Sequence, residues 1–136
     1  MSKANATEAD LVAYIFNATA ISWNGVGNLY VALHTADPGE AGGQNTSEAT
    51  YTGYARVAVA RDNTGWTCAG NTATNAAQIQ FGLCTAGSET VTHFSVGTAS
   101  SGAGQILYSG ALNSSLAVSN NVQPTFAAGG LTVSEE

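Results

Sequence analysis

The most informative segment of the chain reads LYVALHTADPG and runs from Leu29 to Gly39. Every second residue from Leu29 to Leu33 is large and apolar, and this two-residue period predicts a β-strand with both faces partly covered. The strand ends before Pro38, which has no backbone N–H to donate, and Gly39 supplies the turn. A long irregular loop, predicted over residues 39–52, follows this strand.

The same alternation recurs along the rest of the chain, with turn residues between the segments. It is found at 57–59, 79–83, 91–96, 106–112 and in short pieces over 118–133, and Trp66 begins a further extended segment. The strands at 57–59 and after Trp66 flank an Asp-Asn-Thr-Gly turn and are predicted to pair as a hairpin. Seven to nine short strands favour a mainly β fold, an antiparallel β-sandwich or jelly roll. A parallel α/β fold is disfavoured, because no later segment combines helical spacing with the length of a crossover helix.

One short helix is predicted before the strands, over residues 7–18. Asn5 or Thr7 supplies the cap, two acids lie where the helix dipole favours them, and apolar residues recur at helical spacing. The apolar stripe is so wide that the helix must dock on a sheet or on a neighbouring protein. Residues 1–6 are predicted to form a flexible N-terminal arm, and 1–136 to form a single β-sandwich domain.

The composition excludes several classes of partner. Charged residues make up only 9% of the chain, so uncharged polar residues must cover its surface, which suits permanent assembly. With three Lys and Arg residues against nine acids, the chain cannot neutralise a row of phosphates. We therefore expect neither nucleic acid nor an anionic membrane as a partner. The absence of a leader pattern or a long apolar span predicts a cytoplasmic product.

The residues able to carry out chemistry form no recognised catalytic motif. His34 lies near Asp37, but no G-x-S-x-G motif presents a serine beside it. His93 lies within a predicted strand, and the spacing of Cys68 and Cys84 matches neither a disulfide framework nor a metal site. We expect no enzyme activity, no cofactor and no metal. A hydrolase, the least favoured alternative, requires a histidine hydrogen-bonded to a nucleophile in a pocket.

Four segments of the chain together resemble a known family. They are LYVALHTADPG from Leu29, YARV from Tyr54, THFSVG from Thr92 and PTFAAGGLTV from Pro124. In this order they resemble small virion proteins of tailed phages, which are often named tail fibre proteins. Some members are similar to the jelly-roll cement proteins that coat capsids with the HK97 shell fold. The similarity covers most of the chain after residue 10.

The resemblance implies a capsid decoration protein on the outer surface of the phage head, synthesised in the host cytoplasm. Its expected partners are the major capsid protein and further copies of itself, as dimers or trimers. A fibre is usually longer and carries repeats or a coiled coil, which this chain lacks. The candidate contact residues lie in the arm, the helix and the loop region: Lys3, Tyr14, Phe16, Glu40, Gln44, Tyr51 and Tyr54.

The alternative function is a tail fibre or baseplate-associated adhesin that binds a host carbohydrate. Trp23 and Trp66 are its expected stacking platforms, and core packing is the competing role for both side chains. The two functions predict different positions and copy numbers on the particle, because a shell protein is far more abundant than a tail component.

Overall fold

The computed structural model describes residues 1–135, which contain one helix and several antiparallel β-sheets. Helix α1 spans Asn5–Asn17. The ten strands of this part of the chain are β1 (Ser2–Lys3), β2 (Asn28–His34), β3 (Val57–Ala60), β4 (Trp66–Ala69), β5 (Thr72–Asn75), β6 (Ile79–Gln80), β7 (Glu89–Gly97), β8 (Ile106–Val118), β9 (Thr125–Phe126) and β10 (Thr132–Ser134). The predicted mainly β fold with one short helix near the N-terminus is confirmed.

The largest sheet has five antiparallel strands in the order β1-β8-β7-β2-β3. Strand β2, predicted from the alternation after Leu29, lies between β7 and β3 and is therefore paired on both edges. Its register places Val31 opposite Val96 and Leu33 opposite Phe94, so large apolar side chains share one face. The other strands form a three-stranded sheet, β10-β5-β4, and the pair β6-β9.

One apolar core joins the three sheets. Val31 and Val96 come from the large sheet, Trp66 and Val133 from the three-stranded sheet, and Ile79 from the small pair. Burying a side chain of this kind stabilises the fold by roughly 1.5–3 kcal/mol relative to leaving it in water. The sheets therefore act as the layers of a β-sandwich.

The irregular segment between β2 and β3 covers the second face of β2. Ala32 and His34, which alternate with the core residues, are fully buried. The segment contains the loop predicted at 39–52 and is held in place by isolated bridges. These bridges pair Gly43 with Gln105, Glu48 with His34, and Thr52 with Ala86. The coverage of both faces explains why LYVALHTADPG contains almost no charged residue.

The prediction of a flexible arm over residues 1–6 is wrong. Ser2 and Lys3 form β1, which pairs with β8 at the edge of the large sheet. A two-residue strand is too short for a period to reveal it. Helix α1 begins earlier than predicted, with Ala4 at the N-cap and no side-chain cap. Thr7 lies inside the helix, and its hydroxyl donates to the Ile106 carbonyl at 2.7 Å instead of capping.

The predicted hairpin between β3 and β4 is also wrong. Strand β3 pairs with β2, whereas β4 pairs with β5 of the three-stranded sheet. The turn after Arg61 therefore carries the chain from one sheet to another. The partner of β4 contains only Thr, Ala and Asn, and without large apolar residues it shows no alternation from which to predict a strand.

Candidate interaction surface

The first half of helix α1 is fixed to the sandwich by hydrogen bonds. Gln105 Nε2 donates to Thr7 Oγ1 at 3.1 Å and to Asp10 Oδ2 at 2.9 Å. Trp23 Nε1 donates to the same Asp10 oxygen at 2.9 Å. These polar contacts involve side chains on distant parts of the sequence, and no local pattern predicts them.

The second half of α1 exposes four large apolar side chains, which we call the helix patch. Phe16 is 80% exposed, Ile15 68%, Val12 58% and Tyr14 56%. Residues 14–20 are all exposed. Exposed apolar groups that lie together on a soluble protein mark contact surfaces. The predicted candidates Tyr14 and Phe16 are therefore exposed, and Val12 and Ile15 are exposed residues that the predicted set lacked. Val12, Ile15 and Phe16 share one face of the helix, whereas Tyr14 projects from the opposite side.

The sequence contains a pattern from which Val12 and Ile15 could have been identified. Val12, Ile15 and Phe16 follow the spacing of one helical face. The sequence predicts that such a face is covered, but it does not distinguish cover by the protein's own sheet from cover by a partner.

Two of the predicted contact residues are buried, which corrects the expectation that they face a partner. Gln44 has 0% exposure, and its Nε2 donates to the Tyr30 carbonyl at 2.9 Å. Tyr51 is 4% exposed, and its hydroxyl donates to the Gly82 carbonyl at 2.8 Å. Burial raises the pKa of Tyr51 to about 12. Both side chains therefore hold the loop against the sandwich.

Tyr54 takes part in a polar cluster beneath the same segment. Its hydroxyl donates to Glu48 Oε2 at 2.6 Å and accepts the Leu33 N–H at 3.2 Å. Burial, followed by the hydrogen bond to Glu48, raises the pKa of Tyr54 above its ordinary value. Arg56 binds both oxygens of Glu48, at 2.7 and 2.9 Å. The cluster fixes Tyr54, which is half-buried and not the free interface residue that we expected.

The two charged candidates have different environments. Lys3 forms an ion pair with Glu135, which also accepts a hydrogen bond from Tyr108. This contact joins the two ends of the chain. Glu40 is exposed in the turn after Gly39 and remains accessible to a partner.

Neither tryptophan forms the exposed platform expected of a carbohydrate-binding adhesin. Trp66 is 9% exposed and belongs to the core. Within the described residues, its Nε1 is the buried side-chain nitrogen that lacks a hydrogen-bond partner. Trp23 is half-buried, with the Arg61 guanidinium 5.5 Å above its ring. Core packing is thus the observed role of Trp66.

An apolar cavity of about 490 Å³ opens between the large sheet and the three-stranded sheet. Its walls are mainly apolar side chains from both layers, with Arg61, Asp62 and Asn63 at the polar edge. We call it the inter-sheet cavity. Its lining residues include Leu29, Trp66, Cys68, Ala73, Val96 and Tyr108.

His34 is hydrogen-bonded to Ser95, an arrangement that a hydrolase would require, but both side chains are buried, so a substrate cannot reach them. His34 Nε2 lies 2.8 Å from Ser95 Oγ, and its Nδ1 lies 2.8 Å from the Thr46 carbonyl oxygen. His34 and Ser95 both have 0% exposure. Burial lowers the pKa of His34. The pair acts as a structural link between β2, β7 and the covering loop.

Across residues 1–135, no group of three or more His, Cys, Asp and Glu side chains is arranged to hold a metal ion. Within the same range, no helix is both long and apolar enough to cross a membrane.

Comparison with known proteins identifies the family of the chain. No curated protein matches it. The family model described as podophage GP4 fiber I protein gp80 matches residues 2–134, which include the helix patch, the covering loop and every strand of the sandwich. The chain therefore belongs to the podophage GP4 fiber I protein family and is a structural protein of the tailed-phage virion.

Proposed function

We propose that this chain is a non-enzymatic protein that decorates the outer surface of the phage head. Its partners are the major capsid protein and further copies of itself. The observation that carries the proposal is the helix patch, because removing apolar surface from water stabilises an assembly by roughly 25 cal/mol per Å². An assembled particle that covers this patch is therefore more stable than the free chain.

Two further features support a role in coating a shell. Only 9% of the residues are charged, so closely packed copies can meet through surfaces made mainly of uncharged polar and apolar residues. The exposed turn at Glu40 supplies a second, polar contact region, separate in sequence from the helix patch. A small protein with two contact regions gains affinity from multivalency when it bridges neighbouring subunits.

Attachment to the tail, as a fibre or baseplate component, is the second candidate function. The description of the matching family as a fiber protein favours it. A tail adhesin that binds carbohydrate was expected to use Trp66 and Trp23 as exposed stacking platforms. Trp66 belongs to the core, however, and Trp23 is held by Asp10 and Arg61. A tail role therefore relies on protein contacts through the same helix patch.

The role of the helix patch is tested by measuring how many copies of the protein are incorporated into phage particles. Phage lacking this protein is mixed with the purified chain, and the bound copies are counted by quantitative mass spectrometry of washed particles. Phe16→Ser is expected to reduce incorporation at least tenfold, because Phe16 is the most exposed member of the helix patch. Asn45→Ala, an exposed substitution outside the patch, serves as the control. Normal incorporation of Phe16→Ser would contradict the proposed surface.

The placement is tested by cryo-EM reconstruction of the same particles. Ordered copies across capsomer boundaries support the head decoration role. Copies found only at the tail contradict that role and support the second candidate, whatever the result for Phe16→Ser.

A further inference from the structure

The turn between helix α1 and strand β2 contains a chemically reactive step of the sequence. Asn24 is followed there by Gly25, and no other Asn of the chain is followed by glycine. Both residues are exposed. The backbone nitrogen of the next residue can attack an Asn side chain, and a following glycine hinders this attack least because it has no Cβ.

The nitrogen that makes this attack is not held by the fold. Within residues 1–135, no group accepts a hydrogen bond from the Gly25 N–H. The Asn24 side chain likewise has no hydrogen-bond partner in this part of the chain. Because neither group is held, the side chain can rotate until its Cγ meets the Gly25 nitrogen.

Other exposed Asn residues lack this arrangement. The N–H that follows Asn45 donates to the Gly43 carbonyl at 3.0 Å, and the N–H that follows Asn120 donates to the Cys84 carbonyl at 2.8 Å. In both cases the nitrogen is already hydrogen-bonded, and it belongs to a residue with a Cβ. The structure therefore distinguishes Asn24 from these two residues.

Arg61 contributes electrostatically to the same peptide group. Its Nη1 donates at 2.7 Å to the Asn24 carbonyl oxygen, which belongs to the peptide bond between Asn24 and Gly25. When the Gly25 N–H loses its proton, resonance shares the negative charge with this oxygen. The guanidinium lies where the charge develops and therefore stabilises the reactive anion.

We infer that Asn24 is a site of self-modification, at which the Gly25 nitrogen displaces the side-chain amide and Arg61 promotes the step. Hydroxide removes the Gly25 proton, and the nitrogen forms a bond to Asn24 Cγ. The bond from Cγ to Nδ2 breaks, and Nδ2 leaves as ammonia after taking a proton from water. Water then opens the resulting succinimide ring at either carbonyl, which gives aspartate or isoaspartate at position 24.

The modification changes a contact that anchors helix α1. Arg61 Nη1 also donates to the carbonyls of Trp23 and Val26, at 3.4 and 3.3 Å, and Trp23 donates to Asp10 of the helix. Either product adds a negative charge to the net charge of −6. The isoaspartyl product also lengthens the backbone of the turn by a carbon atom, which displaces the carbonyls that Arg61 binds.

The inference is tested by incubating the purified protein at mildly alkaline pH and following each Asn by peptide mass spectrometry. Asn24 is expected to convert first, with aspartate and isoaspartate both present, while Asn45 and Asn120 of the same samples remain intact. The rate is expected to rise with pH, because hydroxide removes the proton. An intact Asn24, or conversion of Asn45 at the same rate, overturns the inference.

Variants test the two groups that act on Asn24. Gly25→Ala is expected to slow the conversion by about tenfold or more, and a Cβ at this position meets no atom within 4 Å, so the fold accommodates it. Arg61→Gln is expected to slow the conversion about fivefold, which corresponds to about 1 kcal/mol in the barrier. Arg61→Lys keeps the charge and is expected to restore most of the rate.

Circular dichroism establishes that each variant is folded before its rate is compared with that of the wild type. An unchanged rate in Gly25→Ala overturns the attack by the Gly25 nitrogen. An unchanged or faster rate in Arg61→Gln overturns the role of Arg61. Because these measurements use the isolated chain, their outcome is independent of the proposed function.

Discussion

At the scale of single residues, buried polar side chains join the covering loop to the large sheet. His34 is held between the Thr46 carbonyl and Ser95 Oγ, and Gln44 reaches the backbone of β2. A buried polar group is tolerated only when it is hydrogen-bonded. Gln44 was predicted as a surface contact, and His34 was considered only for the disfavoured hydrolase alternative, but their contacts give both a structural role.

The pH dependence of stability is expected to report on His34. Burial lowers its pKa below the ordinary value of 6.5. As the pH falls below about 6.5, the unfolded chain takes up a proton at this site before the folded chain does, so the free energy of unfolding decreases. Above that pH, both states are neutral and the contribution of His34 is constant.

Urea unfolding on either side of pH 6.5 measures this effect. His34→Gln is expected to have a flatter pH profile than the wild type, whereas Asn45→Ala, an exposed substitution that retains His34, is expected to keep the wild-type profile. An unchanged slope in His34→Gln would show that other groups cause the acid sensitivity.

Gln44→Ala is expected to destabilise the fold by about 1–3 kcal/mol, because it leaves the Tyr30 carbonyl and the Ala99 N–H without their partner. The fit around Gln44 is tight: a Cβ on Gly97 would lie 2.2 Å from its Cδ. Chemical denaturation measures the loss. Asn45→Ala, at the exposed neighbouring position, is expected to change stability by less than about 0.5 kcal/mol. Equal stability of the two variants would contradict a structural role for Gln44.

At the scale of elements, helix α1 divides into an anchored half and a projecting half. The anchored half is held by polar contacts of Thr7 and Asp10, and the projecting half carries the helix patch. The helix ends at Ala18 in a left-handed conformation, with φ of 54°, and its N–H contacts the Tyr14 carbonyl. Non-glycine residues adopt this conformation at an energetic cost.

Ala18→Gly is therefore expected to stabilise the chain by about 0.5–1 kcal/mol, because glycine adopts the left-handed conformation without a Cβ clash. Ala9→Gly, at an exposed position within the same helix, is expected to destabilise it by about 1 kcal/mol. Thermal unfolding followed by circular dichroism compares the two variants. A decrease in stability for Ala18→Gly would contradict the assignment of strain to this helix end.

At the scale of the whole molecule, the shared core links the three sheets into one cooperative unit. Trp66 and Val133 of the three-stranded sheet pack with Val31 and Val96 of the large sheet. The ion pair between Lys3 and Glu135 connects the two ends of the chain across this unit. We therefore expect the sandwich to unfold in a single transition.

The Trp23→Phe variant tests this expectation, because Trp66 is then the one remaining tryptophan of the chain. Its fluorescence reports on the core, and far-UV circular dichroism reports on all the strands. The two signals are expected to have the same midpoint in urea. An earlier fluorescence transition would show that the three-stranded sheet separates from the large sheet before global unfolding.

The sequence by itself determined the mainly β class, the strand after Leu29, the approximate position of the helix and the virion family. These follow from local periods and recognisable segments, which depend on neighbouring residues alone. The sequence also indicated that the helix carries too much apolar surface to lie free in water, but not whether the sheet or a partner covers Tyr14 and Phe16.

Only the tertiary structure decided which sheet each strand joins and which polar residues are buried. Strands β1 and β5 have no periodic apolar residues. Strand β3 pairs with β2 and not with β4, which follows it in the chain. Gln44 and Tyr51 are polar residue types that the sequence suggested would lie at the surface. Both are buried, and carbonyl groups distant in the sequence accept their hydrogen bonds. Such pairings depend on contacts between residues far apart in the chain, so a local pattern cannot specify them.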